Sequence, residues 1–154
     1  MLVRDYMTKK VFTLRIDKKL FIAQEIMEWA HCRHVPVVDR EGRVVGIVSH
    51  RDLLKASVSS AAHVVNLERD QHLSTLPVES VMRTNVRTIS PDATVQEAAK
   101  VMRDEKIGCL PVVAEDKLVG IITDYDFLRI VEHLGESATD RRQWGAGKRL
   151  VVLE

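Results

Sequence analysis

Apolar residues follow two different periods in the first third of this chain. Residues 11–14 and 35–38 are short, mainly apolar runs, VFTL and VPVV, which are typical of buried strands. Between them, apolar residues recur every three or four positions over 20–27, which predicts a helix with one apolar face. After a polar turn, the run RVVGIVS at 43–49 predicts a third strand, and a second helix is expected to start at Ser49. The pattern therefore predicts a β-α-β-β-α unit.

The same pattern returns in the second half of the chain. The run VPVV aligns with LPVV at 110–113, which lies 75 positions later. Strands are predicted at 86–89 (VRTI) and 117–123 (KLVGIIT), and the helix between them opens on a capping box formed by Thr94 and Glu97. Repetition at this length indicates a duplicated structural unit.

The duplication predicts an α+β fold built from two β-α-β-β-α repeats. One repeat alone is too small to bury its sheet face and helix faces, so we expect the two to pack together. Residues 150–153 (LVVL) are apolar and would either add an edge strand or dock on a partner. The predicted organisation is a first repeat at 1–54, a linker at 55–77 that extends the last helix to about residue 70 before a loop, a second repeat at 78–134, and a tail at 135–154.

Composition narrows the class of protein. The chain has 154 residues, of which 45% are hydrophobic and 29% charged, and its net charge of +1 argues against a nucleic-acid binder. No apolar run reaches about 18 residues, which predicts no membrane span, and the first residues lack a secretory core. Cys32 and Cys109 are too few for a disulfide framework and fit a reducing compartment. We therefore expect a soluble cytoplasmic protein.

Both repeats contain the same polar motif straight after the third strand. GIVSHRDLL in the first repeat and GIITDYDFL in the second place a hydroxyl three residues before an aspartate. One explanation is structural: Ser49 with Asp52, and Thr123 with Asp126, would cap the helix that follows. A capping role alone would require no ligand.

Three features favour a ligand site over a purely structural role. A capping box works best with the longer Glu or Gln, yet both repeats use Asp. Gly46 and Gly120 lie within predicted strands, where glycine often marks the close approach of another group. The free amides at a helix N-terminus bind anions, and a carboxylate one turn further on can accept hydrogen bonds from a vicinal diol. A phosphate beside a diol is the outline of a ribonucleotide.

With these motifs in register, the chain resembles a tandem pair of cystathionine-β-synthase (CBS) domains, also called a Bateman module. The resemblance rests on h-P-V-V followed by G-h-h-[ST]-x-x-D in both halves, and it covers residues 3–54 and 78–128. It implies that the two CBS repeats pack about a pseudo-twofold axis and leave two clefts for adenosine-type ligands. It also implies a homodimer, because two such modules commonly associate into a flat disc.

The resemblance assigns ligand-binding roles to matching positions in both repeats. It implies that Asp52 and Asp126 hold the ribose hydroxyls, and that Ser49 and Thr123 contact phosphate or ribose. The positions that would line the base pocket are Val11, Thr13, Val86 and Thr88 on the first strands, with Val35, Pro36, Leu110 and Pro111 forming its apolar wall.

The two repeats differ in charge around these positions. The first repeat has basic residues before the apolar-Pro strand and inside the hydroxyl-Asp motif, which are Arg33, His34, His50 and Arg51. The matching residues of the second repeat are Gly108, Cys109, Asp124 and Tyr125. Asp124 would repel a polyphosphate. We therefore expect the Asp52 cleft to be the better nucleotide site and the Asp126 cleft to be weaker or to prefer a less charged adenosine derivative. Arg33 could also reach across to the Asp126 cleft.

Other chemistry is weakly supported by the sequence. His31, Cys32 and His34 are neighbours, but no spaced partner ligands accompany them, so no metal site is expected. We find no nucleophile-base pair and no glycine-rich phosphate loop, which predicts that the protein is not an enzyme.

The leading hypothesis is a stand-alone regulatory module without a cofactor. It would bind an adenine nucleotide (AMP, ADP or ATP) as a regulatory ligand and signal to a partner protein whose identity the sequence does not reveal. One alternative is a sensor of S-adenosylmethionine or a related adenosine ligand with an uncharged tail. The other is a ligand-free structural or interaction module in which both motifs act only as helix caps.

Overall fold

The protein folds into the mixed α+β structure expected from its sequence. The structure is a computed structural model, and it describes residues 1–58, 73–135 and 151–152. The helices are α1 (Val3–Tyr6), α2 (Leu20–Ala30), α3 (His50–Val58), α4 (Val95–Glu105) and α5 (Asp124–Gly135), with a 3₁₀ turn at Val78–Ser80. The strands are β1 (Phe12–Arg15), β2 (His34–Val38), β3 (Val44–Ser49), β4 (Cys109–Ala114), β5 (Lys117–Thr123) and β6 (Val151–Val152).

Two predictions fall largely on residues beyond this description. The expected continuation of α3 from residue 59 to about 70 lies outside the described residues. So does the tail over 136–150 and 153–154. The part of 150–153 that is described, β6, does form the edge strand that its apolar run suggested.

The strands form two sheets whose pairing follows the repeated pattern. One sheet has the order β3-β2-β1-β6, and the other consists of β4 and β5. β1 runs parallel to β2, while β2 with β3 and β4 with β5 are antiparallel hairpins. The register places Pro36 opposite Ile47 and Pro111 opposite Ile121, so the two hairpins pair in the same way.

The strand predicted at 86–89 is reduced to one bridge. Ile89 lies beside Val112 in parallel, and its amide donates to the carbonyl of Pro111 at 3.0 Å. In the first repeat the matching segment is β1, which lies between β2 and β6. Arg87 and Thr88 are exposed, whereas Thr13 and Leu14 of β1 are almost fully buried. The prediction of a full strand at 86–89 is wrong: among the residues that the structure describes, this segment has no second neighbouring strand, and it is less buried than β1.

The helices begin and end for local reasons that the sequence encodes. The Thr94 hydroxyl accepts from the Glu97 amide at 3.1 Å and the Glu97 carboxylate accepts from the Thr94 amide at 2.7 Å, which confirms the capping box that starts α4. α2 ends at His31 and α4 at Lys106, each in the left-handed region with φ of 51° and 54°. This conformation satisfies a terminal carbonyl of the preceding helix.

The chain divides into two compact units that do not follow its linear order. One unit contains Phe12–Val86 with Val152–Glu154, and the other contains Met1–Val11 with Arg87–Val151. We name them the Asp52 unit and the Asp126 unit after the motif aspartate that each contains. Each has its own buried apolar cluster, which includes Leu14, Leu20, Val35 and Val48 in the Asp52 unit and Val3, Ala98, Leu110 and Ile122 in the Asp126 unit.

Each repeat begins with a leading segment, residues 1–11 in the first repeat and 78–86 in the second. The units cross the repeat boundaries because each leading segment pairs with the third strand of the other repeat, which is β5 or β3. In the Asp126 unit, the Thr8 amide donates to the Ile121 carbonyl at 2.9 Å, and the Ile121 amide donates back at 3.0 Å. In the Asp52 unit, Ile47 and Arg83 exchange the same two bonds at 3.0 and 2.9 Å. These two bridges occupy equivalent positions and bring a new side chain to each hydroxyl-Asp motif.

Candidate functional site

The Asp52 motif lies where β3 ends and α3 begins. Asp52 Oδ2 accepts a hydrogen bond from the Ser49 amide at 2.8 Å and another from the Ser49 hydroxyl at 2.6 Å. The Asp52 amide donates back to Ser49 Oγ at 3.3 Å, which completes a capping box. Asp is therefore long enough for this box. The expectation that the shorter acid itself indicates a ligand is wrong.

The second oxygen of Asp52 has a different partner. Arg83 donates to Asp52 Oδ1 from Nη2 at 3.1 Å and from Nε at 3.3 Å. The aspartate is buried, with 7% of its surface exposed, whereas the Arg83 side chain is 53% exposed. Burial opposes ionisation, but the hydrogen bonds from Ser49 and the charge of Arg83 outweigh it and lower the pKa of Asp52. This carboxylate is therefore ionised near neutral pH.

The Asp126 motif repeats the cap without the arginine. Asp126 Oδ2 accepts from the Thr123 amide at 2.8 Å and from the Thr123 hydroxyl at 2.9 Å. Oδ1 accepts from the Thr8 hydroxyl at a longer 3.4 Å. Burial raises the pKa of Asp126, since the hydrogen bonds from Thr123 and the charge of Arg129 only partly compensate for lost hydration. The two motif aspartates thus share one geometry and have opposite pKa shifts.

Arg83 and Thr8 are site residues that the sequence analysis did not identify. Each lies in the leading segment of a repeat, outside the motif, and reaches the aspartate through the bridge to Ile47 or Ile121. The available signal was the repeat alignment, because Arg83 follows Thr8 by the same 75 positions that relate the two repeats.

The glycines of the motif are explained by methionines of the same chain. A Cβ on Gly46 would collide with Met82 Sδ and lie 3.3 Å from the Arg83 carbonyl oxygen. A Cβ on Gly120 would crowd Met7 Sδ and lie 3.1 Å from the Thr8 carbonyl oxygen. Close approach was predicted correctly, but the approaching group in the structure is the leading segment. These glycines therefore carry no independent indication of a ligand.

The basic residues of the first repeat are brought together at the start of α3. The His50 amide donates to the Arg33 carbonyl at 2.9 Å, and His34 pairs in register with Ser49. Arg33, His50 and Arg51 are exposed, and His34 is half-buried. In the Asp126 unit the matching bond joins Asp124 to Gly108, and Tyr125 is 63% exposed. The charge difference read from the sequence is therefore localised beside the two motifs.

The predicted base-pocket residues have unequal environments. Thr13 is 1% exposed, and its hydroxyl has no hydrogen-bond partner among the described residues. A buried hydroxyl without a partner is costly in a native protein and calls for an explanation. Its counterpart Thr88 is exposed and Val86 is half-buried. The other predicted positions are buried, namely Val11, Val35, Pro36, Leu110 and Pro111.

The described residues contain neither a group of metal ligands nor a membrane-spanning helix. Within residues 1–58, 73–135 and 151–152, no three His, Cys, Asp or Glu side chains are grouped so that they could hold a metal ion. Among the helices of these ranges, none combines the length and apolarity needed to span a membrane.

Comparisons with known proteins match both repeats to one family. The family model of the CBS domain matches residues 3–59 and 78–133. A CBS domain-containing protein of Dictyostelium discoideum is 35% identical over 131 residues, which are 84% of this chain and 90% of that protein. Other curated relatives are longer, and the chain spans 14% to 46% of their length.

Solved structures show the same fold. A Vibrio cholerae protein assigned to acetoin utilization is 44% identical with a TM-score of 0.74, covering 87% of this chain and 92% of that one. The CBS domain pair of protein MJ0100 is 27% identical with a TM-score of 0.75, covering 87% and 98% of the two chains. That structure is a complex with 5′-methylthioadenosine and S-adenosyl-L-methionine.

Proposed function

Because the chain belongs to the CBS domain family and carries two CBS repeats, we propose that it is a non-catalytic regulatory module that binds an adenine nucleotide. The ligand would be AMP, ADP or ATP. The single observation that carries this proposal is the Asp52 carboxylate. Its Oδ2 is held by Ser49, whereas its Oδ1 is held by the half-exposed Arg83 side chain. Oδ1 can therefore exchange its bonds from Arg83 for a bond from a ribose hydroxyl, while the helix cap at Oδ2 stays intact.

Charge around the same motif supports a phosphorylated ligand. Arg33, His50, Arg51 and Arg83 all lie near the first turn of α3. Helix N-termini and arginine side chains both bind phosphate well, and arginine does so through two parallel hydrogen bonds. We therefore assign the nucleotide to the Asp52 unit.

The unpartnered hydroxyl of Thr13 supports a base pocket in the same unit. Thr13 lies on β1 beside β2, which contributes the buried Val35 and Pro36. A purine offers ring nitrogens as acceptors and an exocyclic amine as donor, so it would supply a partner for the Thr13 hydroxyl once the side chains that cover this hydroxyl move aside. The apolar neighbours would cover the faces of the base.

A second candidate ligand is favoured by the Asp126 unit. There the aspartate faces the neutral Thr8 hydroxyl, and Asp124 adds negative charge beside the motif. The MJ0100 pair, solved with 5′-methylthioadenosine and S-adenosyl-L-methionine, supports an adenosine ligand without phosphate. We propose that the Asp126 unit prefers this class of ligand.

The ligand would act by shifting the shape of the module. A ligand changes a conformational equilibrium only through its different affinities for the two states, and such coupling is typically about 1–3 kcal/mol. We propose that the module acts as a homodimer and passes the change to a regulated protein. Cys32 and Cys109 are not joined in a disulfide bond, which supports a reducing compartment such as the cytoplasm.

Thermal unfolding with a ligand panel tests the proposed function. Purified protein is heated with AMP, ADP, ATP, adenosine, 5′-methylthioadenosine or S-adenosyl-L-methionine. A ligand present at 100 times its Kd should raise the free energy of unfolding by about 2.7 kcal/mol, which raises Tm. Asp52→Asn should abolish the rise with AMP, because it weakens the acceptor for the ribose.

The control is Glu79→Gln, which removes the same charge from an exposed position of the same unit. It should leave the AMP-dependent rise in Tm unchanged. If none of the six ligands changes Tm at millimolar concentration, the sensor proposal fails. The two motifs would then act only as helix caps.

A further inference from the structure

The residue that faces Oδ1 of each motif aspartate differs between the two units. In the Asp52 unit it is Arg83, which donates two hydrogen bonds, at 3.1 and 3.3 Å. In the Asp126 unit it is Thr8, which donates one bond at 3.4 Å. Both residues are held by equivalent backbone bridges, so the difference lies in the side chain.

We infer that Arg83 determines ligand selectivity at the Asp52 site: it blocks Oδ1 against uncharged adenosines and releases it to nucleotides whose phosphate offers the guanidinium a new partner. This inference rests on the proposed function and names the chemical class that its site selects. Arg83 is a specificity-determining residue and has no catalytic role.

A ribose diol that binds Asp52 must displace the Arg83 side chain from Oδ1. Oδ2 of Asp52 already accepts two bonds from Ser49, so a ribose hydroxyl needs Oδ1. Arg83 holds Oδ1 through a charge-assisted fork, which is stronger than a bond from a neutral hydroxyl. An uncharged adenosine therefore displaces a strong interaction and gains a weaker one.

A phosphate on the ligand gives the displaced Arg83 side chain a new hydrogen-bond partner. The Arg83 side chain is 53% exposed and anchored at its backbone to Ile47, so its guanidinium can turn away from Asp52 without breaking the bridge. A phosphate, like a carboxylate, has two oxygens that can accept parallel hydrogen bonds from the planar guanidinium. A phosphorylated ligand can both occupy Oδ1 and satisfy the displaced arginine, whereas uncharged adenosine can only occupy Oδ1.

The Asp126 unit supplies an internal comparison. Thr8 has a hydroxyl that can rotate away from Oδ1, and water can replace its long bond. It carries no charge that a phosphate would attract. The same chain therefore contains one site with the selective residue and one site without it.

Heteronuclear NMR titration tests this inference at each site separately. The amides of Ser49 and Thr123 each donate to one motif aspartate, so their shifts report binding in the two units. Wild type, Arg83→Thr and Thr8→Arg are titrated with adenosine and with AMP. Arg83→Thr installs the side chain that the molecule itself uses at the equivalent position.

At the Ser49 amide, wild type should bind AMP at least about tenfold more tightly than adenosine, a difference of about 1.4 kcal/mol. In Arg83→Thr this preference should largely disappear, because adenosine binds more tightly and AMP more weakly. In Thr8→Arg a preference for AMP should appear at the Thr123 amide. Arg43→Thr, which removes an exposed arginine paired with Asp39 in the same unit, should leave the preference unchanged.

The failures of the two proposals are distinguishable. If wild type binds neither ligand, the proposed function fails. If wild type binds both ligands equally at the Ser49 amide, or if Arg83→Thr weakens both equally, the sensor survives and the selectivity role of Arg83 is overturned. Thermal unfolding without ligand confirms that each variant is folded.

Discussion

At the scale of single residues, Asp52 and Asp126 show how one motif acquires two electrostatic characters. Both carboxylates accept an amide and a hydroxyl hydrogen bond at Oδ2. The remaining oxygen faces a guanidinium in one case and a hydroxyl in the other. The pKa is lowered for Asp52 and raised for Asp126. The partner at Oδ1 therefore helps to decide whether the pKa of the aspartate is raised by burial or lowered by pairing.

These shifts predict opposite responses of stability to acid. A carboxyl with a lowered folded pKa stabilises the protein above its unfolded pKa, and this contribution is lost as pH falls through the folded pKa. The advantage of wild type over Asp52→Asn in free energy of unfolding should therefore shrink as pH falls below the ordinary value of 3.8. A carboxyl with a raised folded pKa binds its proton first in the folded state. The advantage over Asp126→Asn should grow as pH falls from neutral towards 3.8.

Urea unfolding at a series of pH values measures both differences. Asp126→Asn should also cost less than Asp52→Asn at pH 7, because an ionised Asp126 is poorly hydrated whereas an ionised Asp52 is paired with Arg83. Equal costs at pH 7, with parallel pH profiles, would contradict this account of the two sites.

The motif residues were predictable from the sequence, whereas their outer partners were not. Ser49, Asp52, Thr123 and Asp126 form a local pattern, and local hydrogen bonds follow directly from such spacing. Arg83 lies 31 positions from Asp52, and Thr8 lies 118 positions from Asp126. These contacts depend on which strand each leading segment pairs with. Periodicity within an element carries no information about that choice.

At the scale of elements, the bridge between the leading segment and the third strand requires a glycine, because a side chain at that position would collide with the leading segment. Gly46 lets Met82 lie over β3 while Arg83 pairs with Ile47. Gly46→Ala should lower the free energy of unfolding by about 1–3 kcal/mol, because the new methyl group overlaps Met82 Sδ and approaches the Arg83 carbonyl. Chemical denaturation measures the change.

A double mutant separates crowding by the side chain from crowding by the backbone. Met82→Ala removes the atom that the new methyl group would meet first. The loss in Gly46→Ala, Met82→Ala should be smaller than the sum of the two single losses. Strict additivity would show that the methionine is not the reason for the glycine.

Element prediction succeeded where burial and pairing are symmetric between the repeats. α2 and α4 each start at the first residue of the predicted apolar period, Leu20 and Val95. The prediction failed at 86–89, where an apolar pattern similar to that of β1 forms, among the described residues, only the Ile89 bridge. The difference arises from β6, a neighbour of β1 supplied from the far end of the chain.

At the scale of the whole molecule, an apolar surface on α5 supports the proposed association of two copies. Tyr125, Leu128, Val131 and Leu134 are each more than 60% exposed. They are spaced three residues apart, so each lies next to the following one in a stripe along the helix. Exposed apolar groups that are contiguous mark interaction sites more often than scattered ones do. We propose that dimerisation of the module covers these side chains.

Leu128→Lys tests this surface directly. Wild type should have twice the chain mass of 17.5 kDa by light scattering at micromolar concentration, and the variant should shift towards monomer because it places a charge in an apolar contact. Since Leu128 is 63% exposed, the fold of one copy should be little affected. Gln96→Lys adds the same charge to an exposed position of α4 and should leave the mass unchanged. A monomeric wild type, or a variant that stays dimeric, would refute a role for this surface in self-association. The surface would then be a candidate binding site for the regulated partner.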